Sequence, residues 1–275
     1  NSVLVGKNAG YYATGSYNTF IGTDTGKGGT TSAPYSSGEN NTAMGYGALK
    51  SFTTGDDNVA VGQDSGDALA TGQKNVFIGK SAGTGTTDVD NAVIVGANAG
   101  IANMTSDADG TVAIGYYAGG AITSGRYNTA IGYQALDAIT DSDANTAVGY
   151  QALTAQTGTS GTTANTAVGY NAGVAVLGGI QNTLIGRSAG ASLTTGNRNT
   201  IVGTEAGDGF DSEDDNTFIG FYAGGGAHST TDSVAVGSYA LQGAATQGGT
   251  VAIGKDALKV LTSGAGNSVI GYQAA

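Results

Sequence analysis

The 275-residue chain has no cysteine and no tryptophan, one proline (Pro34) and one histidine (His228). Without cysteine, disulfides, zinc–thiolate sites and thiol catalysis are all excluded. Basic residues are scarce as well: ten Lys and Arg stand against twenty-one Asp and Glu, a formal charge of −11. That imbalance gives no electrostatic drive toward nucleic acid or an anionic membrane surface. No apolar run reaches the roughly 20 residues of a membrane-spanning helix, so this segment is expected to make no membrane contact. The chain opens inside a repeat, at Asn1-Ser2-Val3, as expected of an excised part of something longer. His228 sits among small and polar residues and reads as a solvated turn residue, because no second catalytic element keeps a fixed spacing to it. Glycine is plentiful, but no Gly-x-x-x-x-Gly-Lys-Ser/Thr phosphate loop occurs. No catalytic residue, cofactor or enzymatic activity is expected.

What the chain does have is glycine, 50 residues of it, without the three-residue period of collagen. An apolar content of 39% separates it from disordered chains. The glycines mark a phrase seen clearly at Asn145-Thr146-Ala147-Val148-Gly149-Tyr150-Gln151-Ala152-Leu153. Taking the first Gly of each phrase as a register mark, sixteen marks run from Gly6 to Gly271, and eleven of the fifteen steps are 17 residues. A period that regular is the signature of a solenoid.

The residue before the marker Gly is β-branched in fifteen of sixteen coils, with Met44 the exception. β-Branched side chains suit a pleated strand and lose rotamer freedom in a helix. The residue two before the Gly is always apolar, so alternation along the strand puts apolar groups on both faces. The expectation is a strand covered on both sides. Three residues after the Gly comes Ala in fourteen coils, which predicts a second short strand with a small inward residue. The remaining residues of each coil read as polar turns. The fold expected is all-β: a parallel β-roll or β-solenoid of about sixteen 17-residue coils, forming one continuous domain over residues 1–275. At about 4.8 Å per coil the stack would be roughly 70 Å long. The longer steps predict loops in the polar half of the coil, at residues 27–40, 101–110 and 154–164.

Asn267-Ser268-Val269-Ile270-Gly271 and Thr250-Val251-Ala252-Ile253-Gly254 resemble the head repeats of trimeric autotransporter adhesins of the YadA-like kind. Asn128-Thr129-Ala130-Ile131-Gly132-Tyr133-Gln134-Ala135-Leu136 is also similar to repeat arrays of tail-fibre-like proteins. The resemblance implies a left-handed roll assembled as a homotrimer and working as an adhesive fibre or head outside the cell, on a cell or virion surface. The period departs from the head family, whose coils are nearer 14 residues.

Four sets of residues carry possible function. Asn begins the phrase in eleven coils, unbroken through Asn128, Asn145, Asn165, Asn182, Asn199 and Asn216, and in register these amides would form a hydrogen-bonded ladder. Tyr116, Tyr133, Tyr150 and Tyr170 form a stripe that packs over the bend or meets a sugar or partner protein. Asp208, Asp211, Glu213 and Asp214 make an oxygen-rich loop, a weak Ca²⁺ candidate because its spacing matches neither the EF-hand loop nor the RTX nonapeptide; Asp88/Asp90, Asp107/Asp109 and Asp141/Asp143 are weaker still. The regular Thr129–Thr217 column suggests an ice-binding array, set against by its sharing a face with Ile and Val expected to be buried. The leading expectation is a non-enzymatic extracellular fibre or adhesin head that partners itself and an unidentified surface glycan or protein. The alternative is a filament of solenoids stacked end to end.

Overall fold

The computed structural model describes residues 1–29, 35–157, 161–226, 229–243 and 248–274. The chain is all-β, a parallel β-solenoid of about fifteen turns with about seventeen residues per coil. It divides into two compact units, Asn1–Asp143 and Ala144–Ala275. The first unit carries three-residue strands at Val3–Val5, Thr19–Ile21, Thr42–Met44, Val59–Val61, Val76–Ile78, Val93–Val95, Val112–Ile114 and Thr129–Ile131. The second carries Thr146–Val148, Thr166–Val168, Thr183–Ile185, Thr200–Val202, Thr217–Ile219, Val234–Val236, Val251–Ile253 and Ser268–Ile270. Within each unit every strand pairs in parallel with the next and in register, as in Thr183↔Thr200, Leu184↔Ile201 and Ile185↔Val202. Among the described residues no helix is long and apolar enough to cross a membrane.

The marker Gly is imposed by geometry. At Gly149 φ is +140°, and a Cβ there would lie 2.3 Å from the carbonyl oxygen of Gly169 in the next coil. The bend thus demands both a backbone conformation that L side chains rarely adopt and the absence of any side chain.

Packing inside the coil follows a volume rule. The middle strand residue points inward and is fully buried in every strand except the two terminal ones. A buried Leu occupies the fourth position after the marker only where the middle residue is Ala, as at Ala130, Ala147 and Ala235 (Leu136, Leu153, Leu241); Ala60, Ala113 and Ala167 have Gly66, Gly119 and Gly173 there instead. Where the middle residue is large, as at Phe77, Ile201 and Phe218, that later position is Gly83, Gly207 or Gly224. A Cβ on those glycines would come within 2.7, 2.7 and 2.5 Å of the large side chain. A cross-section therefore does not take a large residue from both sides at once, which would overfill the core.

Three expectations need correction. Among the described residues no second strand directly follows the bend; besides the sixteen strands there are only the two-residue Ser142–Asp143 and Gly161–Thr162. After the bend the chain makes turns, with non-glycine residues in left-handed conformation at Asn8, Tyr117 and Leu136 (φ 57°, 54° and 50°), and these turns still bond the neighbouring coil through the backbone, as in Gly119 N–H to the Ala135 carbonyl at 2.9 Å. The chain itself covers only the inner face of the strand. Its first and third residues are half-buried or exposed in every coil, with Ile185 at 38% and Ile219 at 40%. The polar half of the coil is not all polar: the seventh residue after the marker is a core residue at Phe52, Leu69, Ile122, Ile139, Val176, Leu193 and Phe210. Two of the expected loops also rejoin the body. Met104 and Ala108 are buried, the latter in a single 3-10 turn Ser106–Ala108. Around the longest step, Gly29 and Gly38 donate to the Phe52 and Thr53 carbonyls. Pro34 and His228 lie outside the described residues.

Candidate functional site

Because neighbouring coils repeat the same residues, polar side chains meet their own kind one coil away. Ten of the sixteen strands are preceded by a buried Asn. Asn199 shows the pattern: its Nδ2 donates to Asn182 Oδ1 at 3.1 Å and to the Glu213 carbonyl at 2.7 Å. Its Oδ1 in turn accepts the Asn216 backbone N–H at 3.0 Å. Asn165 and Asn182 are joined the same way at 2.9 Å, Asn145 accepts the Asn165 N–H at 3.0 Å, and Asn216 accepts that of Ser233 at 3.0 Å. Asn128 reaches the Ser142 carbonyl at 2.8 Å. A matching ladder runs through Asn18, Asn41, Asn58 and Asn75. These amides satisfy backbone groups that the bend leaves without a strand partner, and they are inaccessible to a ligand.

The carboxylates are occupied by a second, outer ladder that the sequence did not reveal. Asp90 accepts the Gln73 N–H, Asp109 that of Asp90, Asp143 that of Arg126 and Asp214 that of Asn197, at 2.7, 2.7, 2.8 and 2.6 Å. Glu213, largely buried, folds back to accept the N–H groups of Asp211 and Ser212 at 2.7 and 2.9 Å. Asp215 forms a two-bond pair with Arg198 at 2.6 and 2.7 Å, which holds its carboxyl below the usual range. Asp211 bonds the Thr194 hydroxyl. Asp208 is pushed up, first by burial and then by the charge of Glu205. Among the described residues no three His, Cys, Asp or Glu side chains converge as metal ligands, and the four calcium candidates share no cage.

Two surfaces remain with unspent chemistry. The outer face of the sixteen three-residue strands presents Thr or Val and then Val or Ile, except for Ser268 in the first place and Met44 in the third. No outward position of these sixteen strands carries a charge. The turn side carries the tyrosines. Tyr116 stacks on Tyr133 at 5.3 Å between ring centres, and in the second unit Tyr150 stacks on Tyr170 at 5.1 Å. All four rings are exposed. Beside the first pair lies a cleft of about 370 Å³ lined by Ile101, Tyr116, Tyr117, Tyr133, Gln134 and Asp137, with Gly120 and Ala121 completing it. A second cleft of about 370 Å³ is lined by Tyr11, Tyr12, Ala13, Thr14 and Tyr35. Partial burial raises the Asp137 carboxyl above its ordinary value. Sequence reasoning found the stripe but missed Tyr117 and Asp137; the doublet Tyr116-Tyr117, which breaks the usual Tyr-Gln wording, was the available signal. No protein-family model matches the chain, and no curated protein sequence matches it.

Proposed function

We propose that the chain is a non-enzymatic, extracellular display module that trimerises through its uncharged strand face and presents its turn face to a target on another surface. The observation that carries this is the strand face itself. Eight strands at about 4.8 Å, each about 10 Å long, give roughly 400 Å² of flat surface per unit, of aliphatic and threonine side chains. A contiguous patch of that size matches the largest, often functional, patch of a soluble monomer, about 300–600 Å². The occupant favoured is a second copy. The chain is strongly acidic, yet this face holds none of the charges, so two copies meet there without like-charge repulsion and with matching repeats. The resemblance of the phrase to YadA-like head repeats points the same way.

Light scattering tests it: the expected mass is three times 26.8 kDa. Ile185→Lys with Ile219→Lys, both outward-facing, should give a folded monomer. A monomeric wild-type chain overturns the proposal, and an open-ended series of masses overturns it in favour of the end-to-end filament.

One observation favours a second reading. Thr146, Thr166, Thr183, Thr200 and Thr217 are not beside a buried face; they form an outward row at strand spacing, the form expected of an ice-binding array. The aliphatic third residue of every strand, and Val in the first place of seven strands, make self-association the stronger reading. Thermal hysteresis with ice shaping that is lost in Thr183→Lys/Thr200→Lys would reverse that order.

A further inference from the structure

We infer that the cleft between Tyr116, Tyr133 and Asp137 is a binding subsite for an uncharged pyranose unit of a polysaccharide. This deepens the display reading and rests on it for its biological setting. None of the lining residues belongs to a strand, so the subsite and the proposed trimer face use different parts of the coil.

The cleft exists because of two local features. The fifth residue after the marker is Ile101, Gly120 and Asp137 in three successive coils, so the middle coil contributes no side chain between two that do. A Cβ at Gly120 would lie 2.5 Å from Asp137 Oδ1 and 3.4 Å from the Tyr117 ring. The missing side chain is the notch. The second feature is Ala97, which occupies the place of Tyr116 one coil earlier, so the tyrosine stack begins at Tyr116. Tyr117, set against Tyr116 at 69° and 4.7 Å, forms the remaining aromatic wall.

The chemistry around the notch fits a sugar ring. Aromatic walls offer apolar surface to the C–H face of a pyranose, and a carboxylate and an amide, Asp137 and Gln134, line the same cleft as groups of the kind that bond hydroxyls. At about 370 Å³ the cleft falls within the roughly 300–1,000 Å³ range of small-ligand sites. The charge selects among sugars. With a carboxylate at the site and −11 on the chain, a uronate or sulfated unit is repelled. Single subsites of this kind bind weakly, and presentation in several copies raises the apparent affinity.

The test is affinity electrophoresis of the intact chain through native gels containing galactomannan, mixed-linkage β-glucan or dextran, with polygalacturonate as the anionic comparison. Retardation by at least one neutral polymer is expected. Gly120→Leu, which fills the notch and leaves the rings in place, should weaken it at least tenfold. Tyr116→Ala should weaken it roughly tenfold, and Asp137→Asn severalfold. Circular dichroism establishes that each variant is folded, and Asp137→Asn, a near-isosteric change at a half-exposed position, keeps the test decisive if Gly120→Leu does not fold. The inference is overturned if no neutral polymer retards the chain, if only polygalacturonate does, or if the folded variants all bind like the wild type. Light scattering on the same samples separates the two proposals. Retarded monomers would sink the trimer and leave the subsite standing, and unretarded trimers would do the reverse.

Discussion

Exchanging the large residue from one side of a coil to the other should be nearly neutral, although each half of the exchange is harmful. Consider Ile201 and Gly207. The three atoms nearest to a Cβ on Gly207 all belong to Ile201, the closest at 2.7 Å. Ile201→Ala alone empties a fully buried position and should cost about 2–5 kcal/mol. Gly207→Leu alone overpacks the coil, at about 1–3 kcal/mol, and places a Cβ at φ +58°, adding about 1–2 kcal/mol. Simple addition predicts a loss of roughly 4–10 kcal/mol for the pair. The double variant, however, recreates the arrangement of Ala147 with Leu153, where Leu already sits at φ 50°. Only the left-handed conformation should then be felt, about 1–2 kcal/mol. Denaturant unfolding followed by far-ultraviolet circular dichroism, on all four proteins, measures the coupling. A value of about 3 kcal/mol or more in favour of the pair is expected. Additivity within about 0.5 kcal/mol would refute the volume rule, and with it the account of why Gly and Leu alternate at this position.

The remaining predictions concern ladder, bend and cleft. Asn199→Ala removes the acceptor of the Asn216 N–H and the donor to the Glu213 carbonyl; with two buried groups stranded, a loss of about 3 kcal/mol is expected. Half-exposed Asn267, bonded to the Gly264 carbonyl at 2.7 Å, should cost about 1 kcal/mol when changed to Ala, and equal losses in denaturant midpoints would contradict the ladder. Gly169→Ala directs a Cβ to 2.4 Å from the Gly186 oxygen at φ +141° and should lose more than about 4 kcal/mol or fail to fold. Gly178→Ala, with nothing within 4 Å, should stay within about 0.5 kcal/mol in the same assay. For Asp137 the folded carboxyl binds its proton more tightly than the unfolded one. Its ionisation therefore costs stability as pH rises through the carboxylate range. Asp137→Asn should melt higher than the wild type at neutral pH and converge with it in acid; a difference that grows in acid would have the wrong sign.

The period, the strand and the marker Gly were legible because each is a single residue type repeated under a hard constraint: no Cβ beside the next carbonyl, β-branching on a pleat. The Asn column was legible for the same reason. The direction of the strand was not, because Val148 and Ala147 are both apolar and only the size of the coil interior decides which turns inward. The middle residue went in, whether Ala147 or Phe77, and the flanking Val, Ile and Thr were left outside. The second strand was expected from Ala152 and its equivalents, which are indeed buried. Yet a residue such as Gln134 or Tyr117 in left-handed conformation gives no local sign of it, since only stacking on the neighbouring coil stabilises that backbone. The seventh-position core column was hidden by variety, with Phe52, Thr86, Ile139 and Gln156 sharing one place. The outer carboxylate ladder looked like a metal site because acceptors for backbone N–H groups and ligands for calcium are the same atoms. The cleft was the least legible feature. It depends on what Gly120 and Ala97 lack, in coils 17 to 19 residues apart.

The ladders also bear on how such a chain changes over generations. Along the Asn ladder the bonds across coil boundaries join like to like, so there the donor and the acceptor are interchangeable from one boundary to the next. Removing seventeen residues between two matching positions, say from Asn182 to Asn199, would bring Asn165 against Asn199 with the same atoms facing. Copying seventeen residues would do no harm either. The number of coils is then set by slippage of the gene rather than by any contact that must be invented, and a damaging substitution is felt only by the coils on either side of it. A protein built this way can alter its reach in one genetic event while its turn residues drift one coil at a time, which is how an irregularity as local as Gly120 can arise without disturbing the rest.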